Sequence, residues 1–450
     1  MLRLLKTYFV TMLGRYPLCL GKGSGRGMVL LAGLMWLCWI QAGSVQVGAQ
    51  LIGEDKGTIE FQVRIKPGRE QPGNVFVAGS HPQLGNWRPD GLPLTKQSDS
   101  LWVGQIEVDR KRATGQSIEF KLTRGSWGTV EKDAQGREIA NRSFQIDFVG
   151  DPPLQRISVL VEGWSTGEGP HNTGQSRMES TVTGTLKLHP PIESQLLSQP
   201  GRIAPRRIAV WLPPDYEHAQ QRYPVLYLHD GQNLFDRATA PFGVEWEVDE
   251  TATKLIQQGK IEPLIIVGIW NTLDRIAEYT PCFDPLYQQG GSADEYLKVL
   301  VEEIKPIVDQ TYRTRPDRQS TAIAGSSLGG LVSIYACQKH SQTFSQCAAM
   351  SPSLGWNQEA LLKQIENQPT SISQTRFWID MGTSEGSSAE SQQANVARVQ
   401  RLVRAMESGG LVPGKDFKCL IVPDGRHHES AWGERFGEVL LFLYGKDSAN

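Results

Sequence analysis

Ser327 sits in the middle of Gly325-Ser326-Ser327-Leu328-Gly329, a G-x-S-x-G pattern. The residues before it, Thr321-Ala322-Ile323-Ala324, are short and mostly apolar, as in a buried strand. After it, Leu328, Leu331, Val332 and Tyr335 recur at helical spacing. A serine on a sharp strand-to-helix turn holds its hydroxyl clear of both elements. Gly325 and Gly329 lack the Cβ atoms that would collide where strand and helix cross. The helix N-terminus brings backbone N–H groups to the same spot, so the amide of Leu328 is a candidate oxyanion donor. Such a serine needs a base to take its proton, and histidine does this near neutral pH. Gly425-Arg426-His427-His428-Glu429-Ser430-Ala431-Trp432 offers two, just after the strand-like run Phe417-Lys418-Cys419-Leu420-Ile421-Val422. A third group must orient the base. Arg376-Phe377-Trp378-Ile379-Asp380-Met381-Gly382-Thr383-Ser384-Glu385 reads as a strand ending in a loop with two acids, Asp380 and Glu385.

Taken singly, each of these segments has an ordinary reading. Ser327 could occupy a glycine-rich turn, and the histidines and acids could be solvated loop residues. The histidine pair with Asp424 and Glu429 would also suit a metal, but no second ligand cluster accompanies it. The expectation is therefore no metal and no organic cofactor. The order along the chain decides between the readings. Serine, then acid, then histidine is the order of the α/β-hydrolase fold. That fold takes its second oxyanion donor from the loop after an early strand. Tyr223-Pro224-Val225-Leu226-Tyr227-Leu228-His229-Asp230-Gly231-Gln232-Asn233 is such a strand running into a loop. Gly231 permits close backbone approach, so the amide of Gln232 is the candidate donor.

Residues from about 179 to 446 resemble the esterase D-like family, which includes feruloyl esterases, enterobactin esterases, S-formylglutathione hydrolases and mycolyltransferases. The matching text begins with Val210-Trp211-Leu212-Pro213-Pro214-Asp215-Tyr216 and His229-Asp230-Gly231-Gln232-Asn233-Leu234-Phe235. It continues through Arg275-Ile276-Ala277-Glu278-Tyr279-Thr280-Pro281, the serine turn and Ser351-Pro352-Ser353. The family's G-x-H-x-E-x-x-W pattern implies His427 as the base rather than His428. Its G-T-x-[DE] pattern implies Glu385 as the acid, with Asp380 as runner-up, and makes Ser326 the variable residue of the turn. The resemblance specifies no substrate.

The region in front is different. Residues 52–163 alternate short strand-like runs with turn signals, as an all-β sandwich does; Ile59–Val63, Val75–Ala78, Ile118–Leu122 and Ile157–Val161 are examples. It carries no acid pair or histidine cluster. Trp87 and Trp102 are either core residues or exposed aromatic faces for sugar rings. The segment resembles the starch-binding carbohydrate-binding modules of family 20 through Val75-Phe76-Val77-Ala78-Gly79-Ser80, Leu84-Gly85-Asn86-Trp87, Leu101-Trp102, Phe120-Lys121 and Asn141-Arg142. That resemblance implies Trp87, Lys121 and Asn141 as carbohydrate-binding residues. The family's second stacking tryptophan is missing from Val130-Glu131-Lys132-Asp133-Ala134-Gln135-Gly136, with Trp127 nearby at a shifted position. Residues 164–178 then read as a Gly/Ser/Thr/Asn-rich linker, and 179–446 as the hydrolase domain.

At 450 residues the chain is long enough for two cores. Met28–Ile40 is an apolar run of 13 residues, preceded by Arg3, Lys6, Arg15, Lys22 and Arg26, and Val47-Gly48-Ala49 follows as a small-residue cleavage site. Residues 1–49 thus read as a secretory signal peptide, implying an exported protein, periplasmic or secreted, with no stable membrane span once the leader is cleaved. Removing five basic residues and no acids moves the formal net charge from −2 to −7, which favours neither nucleic acid nor anionic membranes. Cys282, Cys337, Cys347 and Cys419 remain, and Cys419 reads as a buried free thiol within a strand.

The sequence therefore predicts an α/β fold: an α/β-hydrolase domain preceded by an all-β sandwich. The expected activity is serine carboxylesterase through Ser327, His427 and Glu385, with Leu328 and Gln232 binding the oxyanion. The partners expected are a small-molecule or glycan-linked ester and a polysaccharide. An acyltransferase to a sugar hydroxyl and a non-catalytic glycan-binding protein on a hydrolase scaffold are the rival readings. Product analysis with an alcohol acceptor separates the first rival, and turnover of a nitrophenyl ester the second.

Overall fold

Period-two burial builds the front of the chain. The computed structural model describes residues 55–446, except 70–72, 86, 138, 140, 166–179, 196–202, 241–243, 273 and 387. The leader reading and nearly all of the linker reading lie outside the described residues. In Lys56–Ile65 the side chains of Ile59, Phe61, Val63 and Ile65 are buried. One sheet runs in the order Thr95–Lys96, Leu101–Asp109, Lys56–Ile65, Leu154–Val161. A second runs Leu92–Pro93, Phe76–Gly79, Ser117–Thr123, Arg142–Gln145. Their inner faces share one core, in which Phe61 meets Phe120 and Phe144 edge-on at 5.3 and 5.9 Å. Trp102 belongs to that core. A two-residue pair, Glu131–Lys132 with Gly163–Trp164, closes the region one residue past the expected boundary.

The hydrolase region is built on an eight-stranded sheet. Its strands are β1 (Thr185–Leu188), β2 (Ile208–Leu212), β3 (Val225–His229), β4 (Ile265–Ile269), β5 (Thr321–Ser326), β6 (Gln346–Met350), β7 (Arg376–Gly382) and β8 (Phe417–Val422). The spatial order is β1-β2-β4-β3-β5-β6-β7-β8. The β1–β2 and β2–β4 pairs are antiparallel, and the remaining five are parallel. This is the α/β-hydrolase order. The central strands are buried on both faces, which is why they read as unbroken apolar runs. Alternation still sorts their side chains. Val225, Tyr227, Ile265 and Val267 enter one core layer, while Leu226, Leu228 and Ile266 enter the other.

Four helices matter for the site: α1 (Val248–Gln257), α2 (Leu328–Lys339), α3 (Ala389–Ser408) and α4 (Glu429–Tyr444). Helix α2 is buried from Leu328 through Cys337, so it crosses the middle of the molecule directly behind β5. Helix α3 packs on the same layer through Val399, Leu402 and Met406. Helices α1 and α4 cover the opposite layer through Ala252, Phe436 and Val439. Among the described residues no helix is long and apolar enough to cross a membrane. All four described cysteines are free, and partial burial pushes the Cys419 thiol up to about 11.

Candidate active site

The turn between β5 and α2 is as tight as the glycine pattern requires. A Cβ on Gly325 would lie 2.8 Å from the Gly329 carbonyl carbon. Ser327 takes φ 57° and ψ −123°, a region that a residue with a side chain occupies only when its surroundings hold it there. Those surroundings are visible. Ser327 N–H donates to the Met350 carbonyl at 3.0 Å, and the Ser327 carbonyl accepts from Ser353 at 3.0 Å and Leu331 at 3.1 Å. Ser326 is different: it lies in β5, opposite Met350, and is buried.

The second loop, after β3, comes close to the sheet. Gly231 packs on Gly268 so tightly that a Cβ would lie 2.4 Å from that residue's carbonyl carbon. Gly231–Asn233 forms one 3₁₀ turn, entered through Asp230 at φ 58°. A clamp holds that turn. Asp230 accepts two hydrogen bonds from Arg275, both 2.7 Å, and one from Asn271 Nδ2 at 2.6 Å. Burial by itself would raise the Asp230 carboxyl; the Arg275 guanidinium outweighs it and holds the group below the usual carboxylate range. Neither the Leu328 amide nor the Gln232 amide has a protein acceptor among the described residues. His229, beside Asp230, is fully buried. Its Nδ1 meets the Tyr296 hydroxyl at 2.8 Å, and burial lowers its pKa to about 3, so it stays neutral.

The candidate acid and base follow the ends of β7 and β8. His427 Nδ1 lies 2.8 Å from Glu385 Oε2; the Glu385 side chain is 1% exposed and that of His427 33%. Burial alone would drive the Glu385 carboxyl up. The hydrogen bond and charge of His427, with donors from Ser351 Oγ and Gly382 N–H, bring it below its ordinary value. Burial pushes His427 down, and the Glu385 hydrogen bond and charge outweigh that, with smaller contributions from Glu119 and Glu429, so its pKa is raised. The imidazole edge also meets the Trp432 ring at 4.9 Å. His428 is employed elsewhere: as N-cap of α4 it accepts from the Ser430 amide at 3.2 Å.

Asp380, the other acid, is wholly buried at the end of β7 and has different partners. It accepts from Arg435 Nη2 at 2.9 Å, Trp378 Nε1 at 2.8 Å and the Ser351 amide at 3.1 Å. Burial raises its pKa despite Arg435. Ser351 links the two acids. Its hydroxyl donates to Glu385 Oε1 at 2.7 Å and accepts from Trp432 Nε1 at 3.0 Å and Arg435 Nη2 at 2.8 Å.

The structure therefore brings Glu385 and His427 into contact. It does not join Ser327 to His427 by a hydrogen bond; the Ser327 hydroxyl meets that of Ser353 at 3.2 Å instead. No group of three or more His, Cys, Asp or Glu residues with metal-holding geometry occurs among the described residues. Sequence reasoning assigned no role to Ser351, Ser353, Arg275 or Arg435. The first three lay in the quoted Ser351-Pro352-Ser353 and Arg275–Pro281 text. Arg435 had no motif to mark it.

The three expected sugar-binding residues lie on neighbouring segments of the sandwich and differ in burial. Lys121 is buried in the sandwich and donates to the Ile139 carbonyl at 2.6 Å. Trp87 is half-buried, packs against the core layer of the hydrolase region and lies 6.5 Å from the Trp127 ring. Asn141 is exposed and donates to Glu119 Oε2 at 3.3 Å.

Residues 204–443 match the family described as "Putative esterase", just over half of the chain. Residues 57–151 match the starch binding domain family. An uncharacterised protein of Bacillus subtilis, YbbA, is 27% identical over 54% of this chain and 94% of its own length. The endo-1,4-beta-xylanase/feruloyl esterase of Xylanibacter ruminicola is 32% identical over 27% of this chain, which spans 16% of that protein. The ferri-bacillibactin esterase of Bacillus subtilis is 27% identical over 33% of this chain and 57% of its own length. With the fold, the tight serine turn and the Glu385–His427 pair in place, the chain belongs to the esterase family that its residues 204–443 match.

Proposed function

We propose that this protein is a serine carboxylesterase working through an acyl-enzyme. Ser327 Oγ attacks the ester carbonyl while His427 Nε2 takes its proton. The amides of Leu328 and Gln232 donate to the oxyanion as it forms, which costs little reorganisation because both already lack a protein acceptor. His427 then returns the proton to the departing alcohol, and Glu385 stabilises the imidazolium in between. Water, activated by the same histidine, releases the carboxylic acid and restores Ser327. The observation that carries this reading is the 2.8 Å contact between His427 Nδ1 and a Glu385 carboxylate kept ionised below its ordinary pKa. It leaves Nε2 as the free end of the ring. The reading requires the Ser327 hydroxyl to turn from Ser353 to His427 as substrate binds, in line with the loose geometry of catalytic hydrogen bonds before substrate arrives. Export follows from the leader reading of residues 1–49, and cell fractionation checks it.

The test is turnover of 4-nitrophenyl acetate by two neighbouring variants. Ser327→Ala loses turnover by roughly 10⁴-fold or more, as losing a nucleophile does. Ser326→Ala keeps most of it, because Ser326 is buried within β5. The reverse pattern would put the nucleophile at the wrong serine.

A further inference from the structure

Beside His427 lies a cavity of about 730 Å³ whose walls come from both halves of the protein. His427, Arg426 and Glu434 line it from the hydrolase side, and Glu119, Asn141 and Ser143 from the sandwich. The sandwich wall follows from strand geometry. Glu119 and Ser143 are direct cross-strand partners, so their side chains share a face. Ile118 and Phe120, on either side of Glu119, point into the sandwich core. Glu119 must therefore point outward, and the outward face here is the cavity. Packing in both directions ties this face to the hydrolase. Trp87 of the sandwich lies against a hydrolase core layer, and Leu286 of the hydrolase lies against the sandwich core.

Resting on the serine esterase reading, we propose that the sandwich supplies one wall of the subsite for the departing alcohol, and that Glu119 and Asn141 select a polyhydroxylated, sugar-like alcohol there. Two observations carry this. First, the cavity is lined by His427 and not by Ser327, so its occupant sits on the side of the group that protonates the departing oxygen. Second, most of the residues that line it carry hydrogen-bonding side chains, spaced among apolar surface. The carboxylates of Glu119, Asp424 and Glu434 accept; Arg426 donates; the Asn141 amide and the Ser143 hydroxyl do both. An apolar alcohol would leave these groups unpaired, and the three carboxylates outnumber the two lining arginines, Arg426 and Arg435, which disfavours an anion. A sugar ring, whose hydroxyls both donate and accept, answers them. The arrangement also explains why a starch-binding type of domain packs tightly here: its Asn141 edge completes a cavity within the enzyme.

The experiment compares two acetate esters on full-length protein, methyl 6-O-acetyl-α-D-glucopyranoside and ethyl acetate. The acyl group is the same and only the alcohol changes. The wild type prefers the sugar ester in kcat/KM. Asn141→Ala and Glu119→Gln each cut the ratio of the two kcat/KM values by about tenfold or more, the scale of a lost hydrogen bond involving a charged group. Asn141 is exposed, so its variant keeps the fold, and an unchanged melting temperature checks this. A ratio within about twofold of wild type in both variants, or no preference in the wild type, overturns the proposal and leaves the esterase reading standing. A wild type inert to both esters and to 4-nitrophenyl acetate overturns the esterase reading, and this proposal with it.

Discussion

The two walls of the cavity beside His427 are made in opposite ways. On the hydrolase wall each group is held by several others. Glu385 has His427, Ser351 and the Gly382 amide, and Ser351 in turn has Trp432 and Arg435. On the sandwich wall the side chains of Glu119 and Asn141 have each other, at 3.3 Å. A densely bonded wall fixes the geometry of proton transfer, where small displacements are costly. A sparsely bonded wall leaves its polar groups available to a ligand. On the proposed reading, the difference separates groups arranged for chemistry from groups arranged for recognition.

Breaking the hydrolase wall at His427 gives the largest effect. His427→Ala loses kcat by roughly 10⁴-fold, the scale of losing a triad base. His428→Ala loses far less, because His428 caps α4 and does not touch Glu385. Steady-state kinetics on 4-nitrophenyl acetate measures both. Equal losses would leave the base unassigned, and zinc-dependent recovery would point to a metal instead.

Next comes the contrast between the two buried acids. Glu385→Gln lowers kcat by about 10³-fold or more, since an amide cannot stabilise the imidazolium. Asp380→Asn instead removes the nearer of the two carboxylates beside Arg435, at 2.9 Å against 3.6 Å for Glu385; the Arg435 side chain is 7% exposed. It costs about 3–5 kcal/mol of stability, the usual penalty for breaking a buried ion pair. Urea unfolding beside kcat separates the two. A stable but inactive Asp380→Asn protein would reassign the acid.

The smallest effect sharpens the sandwich wall. His427 acts as a base only when neutral, so activity falls as pH drops through its pKa. Burial pulls that pKa down, and Glu385 foremost, then Glu119 and Glu429, raise it above the ordinary histidine value. Glu119→Gln removes one of those negative charges. The acid limb of kcat/KM therefore moves to lower pH, and activity is retained further into acid. An unmoved limb would mean that Glu119 does not reach His427.

How much of this was legible in the sequence follows the range of the contacts. The serine turn was readable because its demands are local: two glycines and a helix start within five residues. The fold could be expected because Ser327, Glu385 and His427 follow one another along the chain in the order of serine, acid and histidine in α/β-hydrolases. The partners of the acids were not readable. Ser351 and Arg435 are 84 positions apart, and nothing in either segment announces the other. Glu119 was invisible for a stronger reason. Its neighbours mark a strand of the sandwich, but its place at the cavity depends on how Trp87 and Leu286 dock the two regions. The same docking explains why Trp87, read from the domain family as a sugar platform, is half-buried against the hydrolase.

The central claim is that Ser327 is the nucleophile and that the Glu385–His427 pair activates it. The most direct measurement is covalent labelling of the full-length protein with a fluorophosphonate, followed by mass spectrometric mapping of the modified peptide. The account predicts one adduct per chain, on Ser327, formed much more slowly in His427→Ala and absent in Ser327→Ala. An adduct on Ser326, or labelling of Ser327 at the same rate with and without His427, would contradict it.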